Sequence, residues 1–102
     1  MIIYNVTINV EEEIEKEWLI WMQETHIPEV LQTKKFQSAL MTKVRVEEDM
    51  GGVTYSVQYS CPSQEMLEAY YNEDQERMQL SANKFAGKFV AFRTELELIS
   101  QH

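Results

Sequence analysis

Polar and apolar residues alternate without a break at the start of the chain. Ile2, Tyr4, Val6, Ile8 and Val10 point one way, and Ile3, Asn5, Thr7 and Asn9 point the other. A period of two over nine residues predicts a strand with one buried face. The period then lengthens. Ile14, Trp18, Trp21, Met22 and Thr25 fall on one helical stripe. Glu11, Glu12 and Glu13 sit ahead of it, where the positive end of a helix dipole favours carboxylates. If the strand ends early, Asn9 is a candidate cap, with Glu12 completing a capping box. Pro28 has no N–H, so the regular helix should kink or stop near Ile27. "PEVL" then fits a further turn of helix with Pro28 at its first position.

Alternation returns in "KKFQSALMTKVRVE". Here Phe36, Leu40, Val44 and Val46 are read as the inward face, with Ser38 and Thr42 between them. "EDMGG" supplies a turn, because Gly51 and Gly52 adopt positive φ without steric cost. "VTYSVQYSC" follows, with Val53, Tyr55, Val57, Tyr59 and Cys61 alternating against Thr54, Ser56, Gln58 and Ser60. The two segments read as a hairpin. Pro62 ends the strand and Ser63 is a good N-cap for a second helical region. Its apolar positions are Met66, Leu67, Tyr70, Tyr71, Met78, Leu80 and Phe85, and "NEDQE" at 72–76 interrupts them, which predicts a bend or two shorter helices. In "GKFVAFRTELELI", Val90, Phe92, Leu96 and Leu98 are read as facing in, with Arg93, Glu95 and Glu97 facing out.

The order is β-α-β-β-α-β, with strands expected at about residues 2–10, 35–47, 52–61 and 87–98. This pattern predicts an α+β, ferredoxin-like fold over residues 1–102 as one domain: a four-stranded antiparallel sheet with both helices on one face.

Composition removes several classes of function. The chain carries 17 acidic and 9 basic residues, a formal charge of −8 over 102 residues. Such a field repels phosphate backbones and anionic membrane surfaces, so neither nucleic acid nor a membrane is an expected partner. RNA-binding sheets of this topology stack bases on open-face aromatics amid basic residues. Tyr55 and Tyr59 are instead in phase with Val53 and Val57 on the covered face. Cys61 is the single cysteine, so no intramolecular disulfide and no four-cysteine zinc site can form. It reads as a small buried hydrophobe. No apolar run approaches the roughly 20 residues of a membrane helix, and the opening alternates where a signal peptide would be continuously apolar. A cytoplasmic location is the expectation.

The second face of the sheet is read as Asn5, Thr7, Asn9, Gln37, Ala39, Met41, Thr54, Ser56, Gln58, Ser60, Phe89, Ala91 and Arg93. It is polar with little charge, which suits burial against a second copy across a two-fold axis. Gln37, Met41, Ser56, Gln58, Ala91 and Arg93 are then expected to lose accessibility in a homodimer. Arg93 would pair with a carboxylate such as Glu95 across that axis, or hold an anionic ligand.

"MIIYNVTINV", "EWLIWMQETHIPEVL", "GVTYSVQY" and "GKFVAFRTEL" resemble a short uncharacterised bacterial family, a domain of unknown function, along nearly the whole chain. More remotely the chain is similar to the dimeric α/β-barrel superfamily, whose subunits pack sheet against sheet. That resemblance implies a homodimer. It does not choose a reaction, because the superfamily holds cofactor-free monooxygenases, haem-degrading enzymes and isomerases. The haem-degrading enzymes resemble a pattern with a histidine on the second helix. Asn5 is similar to a first-strand asparagine of theirs, but residues 63–87 contain no histidine, so no cofactor is expected.

Candidate chemistry is sparse. There is no G-x-S-x-G, no Walker loop and no compact metal-ligand set. Trp18 and Trp21 lie on the core stripe, where aromatic residues ordinarily supply burial. A pocket between helix and sheet would be lined by Trp18, Trp21, Tyr55 and Tyr59, and barrel relatives often place theirs in that position. His26 stands at the edge of the stripe and is the one candidate acid or base. Two readings follow. One is a homodimeric module that binds a small hydrophobic molecule or a protein partner. The other is a small cofactor-independent enzyme, monooxygenase- or isomerase-like, acting on a hydrophobic substrate through His26.

Overall fold

The computed structural model describes residues 1–45 and 51–102. Four strands form one antiparallel sheet in the order β2-β3-β1-β4. They span Ile2–Val10 (β1), Ser38–Lys43 (β2), Val53–Cys61 (β3) and Phe89–Glu97 (β4). β1 lies at the centre and pairs along its whole length with β3 on one side and β4 on the other. Helices cover one face. They are α1 (Glu15–Trp21), α2 (Ile27–Gln32), α3 (Gln64–Glu73) and α4 (Gln75–Leu80). The ferredoxin-like arrangement expected from the β-α-β-β-α-β order is therefore the one observed.

The core fills the space between the two layers. From β1 come Tyr4, Val6, Ile8 and Val10, and from β3 come Tyr55, Val57, Tyr59 and Cys61, all buried. Trp18, Trp21, Met22 and Val30 descend from the first helical stretch, and Leu67, Tyr70 and Met78 from the second. Phe36 joins Tyr4, Tyr59 and Tyr70 in an aromatic cluster, with ring centroids 5.8, 5.3 and 4.8 Å away respectively. Cys61 is fully enclosed, and burial pushes its thiol up from the ordinary range. That matches a structural role, since a reactive thiol needs a lowered pKa.

The two edge strands face the opposite way from the sequence reading. Register decides the matter. Ala39, Met41 and Lys43 stand opposite Tyr59, Val57 and Tyr55, on the helix-covered face. Leu40 is thus turned outward and 60% exposed, and Val44 is exposed as well. In β4, Phe89, Ala91 and Arg93 stand opposite Val10, Ile8 and Val6, so they point toward the helices. Val90, Phe92 and Leu96 occupy the open face, and Phe92 is 65% exposed. Leu98, read as inward, is exposed too. The cause is plain in both strands: each carries apolar residues in both phases of the pleat, so hydropathy alone cannot assign the faces. β2 is also shorter than the expected 35–47. Val46 and most of the "EDMGG" turn lie outside the described residues, while Gly51 and Gly52 have φ of 84° and 71° as the turn requires.

The helical segments differ in detail. The capping box at Asn9 does not form, because β1 continues to Val10. The Asn9 side chain instead donates to Thr54 Oγ1 at 3.1 Å across the strand pair. Ser63 does cap α3, accepting from the Met66 N–H at 3.2 Å. The break expected at 72–76 falls at Asp74, where the backbone leaves helical geometry. Asp74 is buried and held there by Lys35 at 3.1 Å and Arg77 at 2.9 Å.

Candidate active site

The first helical stretch does not stop ahead of Pro28. Between α1 and α2, Met22–His26 forms a π-helical turn, closed by the Ile27 N–H on the Met22 carbonyl. Pro28 then sits in the first turn of α2, directly after the π turn. The widened turn accommodates the proline without breaking the rod. It also redirects His26. In an α-helix, residues five apart point about 140° away from each other. Across this turn the His26 ring stacks on Trp21, with centroids 4.7 Å apart and planes 25° from parallel. Single π turns of this kind recur at functional sites.

Below the turn, helices and sheet do not close completely. A cavity of about 320 Å³ remains between them. Trp18, Trp21, Met22 and Val30 form one wall, Tyr4, Val6, Ile8, Val57 and Tyr59 the floor, and Tyr70, Met78, Gln79 and Ala82 the far side. Phe89, Ala91 and Arg93 of β4 complete it. Of the residues expected to line a pocket, Trp18, Trp21, Tyr59 and His26 come together here. Tyr55 does not. Its ring packs on Trp18 at 5.1 Å and its hydroxyl donates to Glu15. Burial and the Glu15 carboxylate push the Tyr55 phenol up to about 12, so it stays protonated. Asn5, which faces away from the helices, donates to Thr7 and Thr94 and accepts from Ser56.

His26 is neutral in this setting. Burial first, and the Arg93 charge second, lower its pKa to about 4. Its tautomer follows from hydrogen-bond accounting. The Ser81 hydroxyl donates its one proton to the Met78 carbonyl at 2.6 Å. His26 Nδ1, 3.3 Å from Ser81 Oγ, must then be the donor in that contact. Nε2 is left as a lone-pair acceptor, and since no buried side-chain polar atom among the described residues lacks a partner, it is open to solvent-accessible space. Sequence reasoning missed Arg93, Tyr70 and Gln79 as wall residues. The hydropathy pattern assigns Arg93 and the apolar pair Phe89 and Ala91 to the opposite face of β4, and it does not distinguish Tyr70 from any other core position on α3.

The family model described as a domain of unknown function (DUF4286) matches residues 1–99. The chain belongs to that family. No curated protein matches the sequence. Among solved structures, this DUF4286 chain is similar to an ethyl tert-butyl ether (EthD) family protein from Bacillus halodurans, with a TM-score of 0.72 at 19% identity over 97% of this chain and 100% of that one. A dimeric ferredoxin-like protein from an uncultured marine organism also aligns, with a TM-score of 0.72 at 12% identity over 99% and 97% of the two chains. A MhuD mutant with two manganese protoporphyrin IX molecules per active site aligns at a TM-score of 0.70 and 17% identity, over 100% and 98%. Likeness at these identities establishes a shared fold. No helix among the described residues is long and apolar enough to cross a membrane.

Proposed function

We propose that this DUF4286 protein is a homodimeric module that holds a small hydrophobic molecule between its helices and its sheet. The cavity carries the reading. Well-packed cores leave few voids larger than a water molecule, and about 320 Å³ is the size of a small-ligand site. Its walls are mainly aromatic and aliphatic, with a few convergent polar groups at His26, Gln79 and Arg93. The dimer is supported by the open face of the sheet. Val90, Phe92 and Leu96 form an exposed apolar row on β4, with Leu40 exposed on the opposite edge. Between them Asn5, Ser56 and Thr94 satisfy one another. A surface of that kind can be covered by a second copy without stranding these polar groups. Met41, Ala91 and Arg93 have no part in this interface, because they lie on the other face.

His26 favours a second reading, a cofactor-independent enzyme. A neutral imidazole with an open Nε2 on an apolar cavity wall can accept a proton from a bound substrate. Its low pKa makes it a weak base that would need an acidic substrate, so binding is the primary reading.

A thermal-shift screen of small hydrophobic molecules against the wild type and Ala82→Phe tests the proposal. Ala82 lines the cavity, and a phenyl group there fills it. Ligands should stabilise the wild type and have no effect on the folded variant. Hits that stabilise both proteins equally would bind elsewhere and would defeat the reading.

A further inference from the structure

Among the described residues that line the cavity, Arg93 is the single charged side chain apart from titratable His26, and none is a carboxylate. That is notable in a chain with 17 acidic residues against 9 basic ones. Arg93 forms no hydrogen bond and no ion pair with any described residue. Glu95 lies two residues along on the same face of β4. Glu95 is engaged elsewhere: it accepts from Gln64 Nε2 at 3.4 Å, and, second to burial, its charge raises the pKa of the Tyr71 phenol. The Arg93 charge acts on both His26 and Tyr70, and at Tyr70 the Asp74 carboxylate acts in the opposite sense. The Tyr70 hydroxyl also has no hydrogen-bond partner among the described residues, and since none of their buried polar atoms is unpartnered, it too reaches accessible space. The exposed Arg93 guanidinium and the Tyr70 hydroxyl thus both line the cavity with no protein acceptor among the described residues.

We propose that the cavity takes a hydrophobic carboxylate, its charge anchored by the Arg93 guanidinium with the Tyr70 hydroxyl beside it. The inference rests on the reading of the cavity as a binding site and names the ligand class. A net charge of −8 disfavours anions at long range. An anion site on such a protein needs a cation at the point of contact, and Arg93 supplies it with a planar fork matched to a carboxylate. The apolar part of the ligand would lie against Trp21, Met22 and Val30. His26, with its acceptor nitrogen, would favour a hydrogen-bond donor on the ligand.

Calorimetric titration with a panel of mono- and bicyclic aromatic carboxylates, each beside its neutral carboxamide, separates the two claims. The wild type should bind carboxylates about tenfold or more tighter than the matched amides. Arg93→Gln should lose that preference while keeping its affinity for the amides, and Tyr70→Phe should lose part of it. Circular dichroism confirms the fold of each variant. Equal binding of acid and amide by the wild type would overturn the anion inference and leave the cavity reading standing. A preference that survives Arg93→Gln would overturn the role of Arg93. Binding of neither class would bring down the cavity reading, and the inference with it.

Discussion

His26 is where burial and charge meet most sharply. In the unfolded chain its imidazole takes a proton at the ordinary value of 6.5, and in the folded chain only near 4. Between those values the unfolded state binds more protons, so acidification favours unfolding. The contribution is flat above the unfolded pKa and falls as pH drops from 6.5 toward 4. Urea denaturation should therefore show the wild type losing of order 2 kcal/mol from this residue by about pH 5. His26→Gln, which keeps a hydrogen-bonding side chain but cannot charge, should show that much less loss over the same range. Parallel pH profiles for the two proteins would mean that His26 titrates as an exposed histidine does. The residue was legible in the sequence as a candidate because histidine is rare in this chain. Its stacking on Trp21 was not legible, because it depends on the π turn, and only Pro28 hints at one.

At the scale of elements, legibility follows from how each strand is covered. β1 and β3 are interior strands packed on one face, so their alternation is clean and their register follows from it. β2 and β4 are edge strands with apolar residues in both phases: Ala39 and Met41 against Leu40, Phe89 and Ala91 against Val90 and Phe92. Their faces are set by pairing with β3 and β1, which a single-strand pattern does not contain. The site was half-hidden for that reason, since β4 brings Arg93 into it. The β2–β3 connection offers a sharper test of local geometry. A Cβ at Gly52 would stand 2.5 Å from Asn9 Oδ1 and 2.8 Å from the Val10 carbonyl oxygen, whereas one at Gly51 meets nothing within 4 Å. Both positions have positive φ, which costs a residue with a side chain about 1–2 kcal/mol. Gly52→Ala adds a clash with backbone and should be the more destabilising by at least about 1 kcal/mol in chemical denaturation. Equal losses would show that Asn9 and the chain end of β1 give way freely.

For the whole molecule, the same register that carries Arg93 into the cavity leaves an apolar row outside. Phe92 is the most exposed large side chain of that row within β4. A second copy covering the sheet should bury more than roughly 1,000 Å² in total. Sedimentation of the wild type should show a dimer at micromolar concentration, and Phe92→Glu should shift it to monomer with its secondary structure retained. A wild-type monomer would remove the proposed interface.

The cavity is the central claim, and a residue-resolved measurement reaches it directly. Two-dimensional NMR of the wild type, titrated with a ligand from the thermal-shift screen, should move the His26 ring protons and the Trp18 and Trp21 indole signals together. The Tyr55 ring, which packs on Trp18 and does not line the cavity, should move far less. Shifts confined to Phe92 and its neighbours on the open sheet face, with His26 and Trp21 unmoved, would contradict the account.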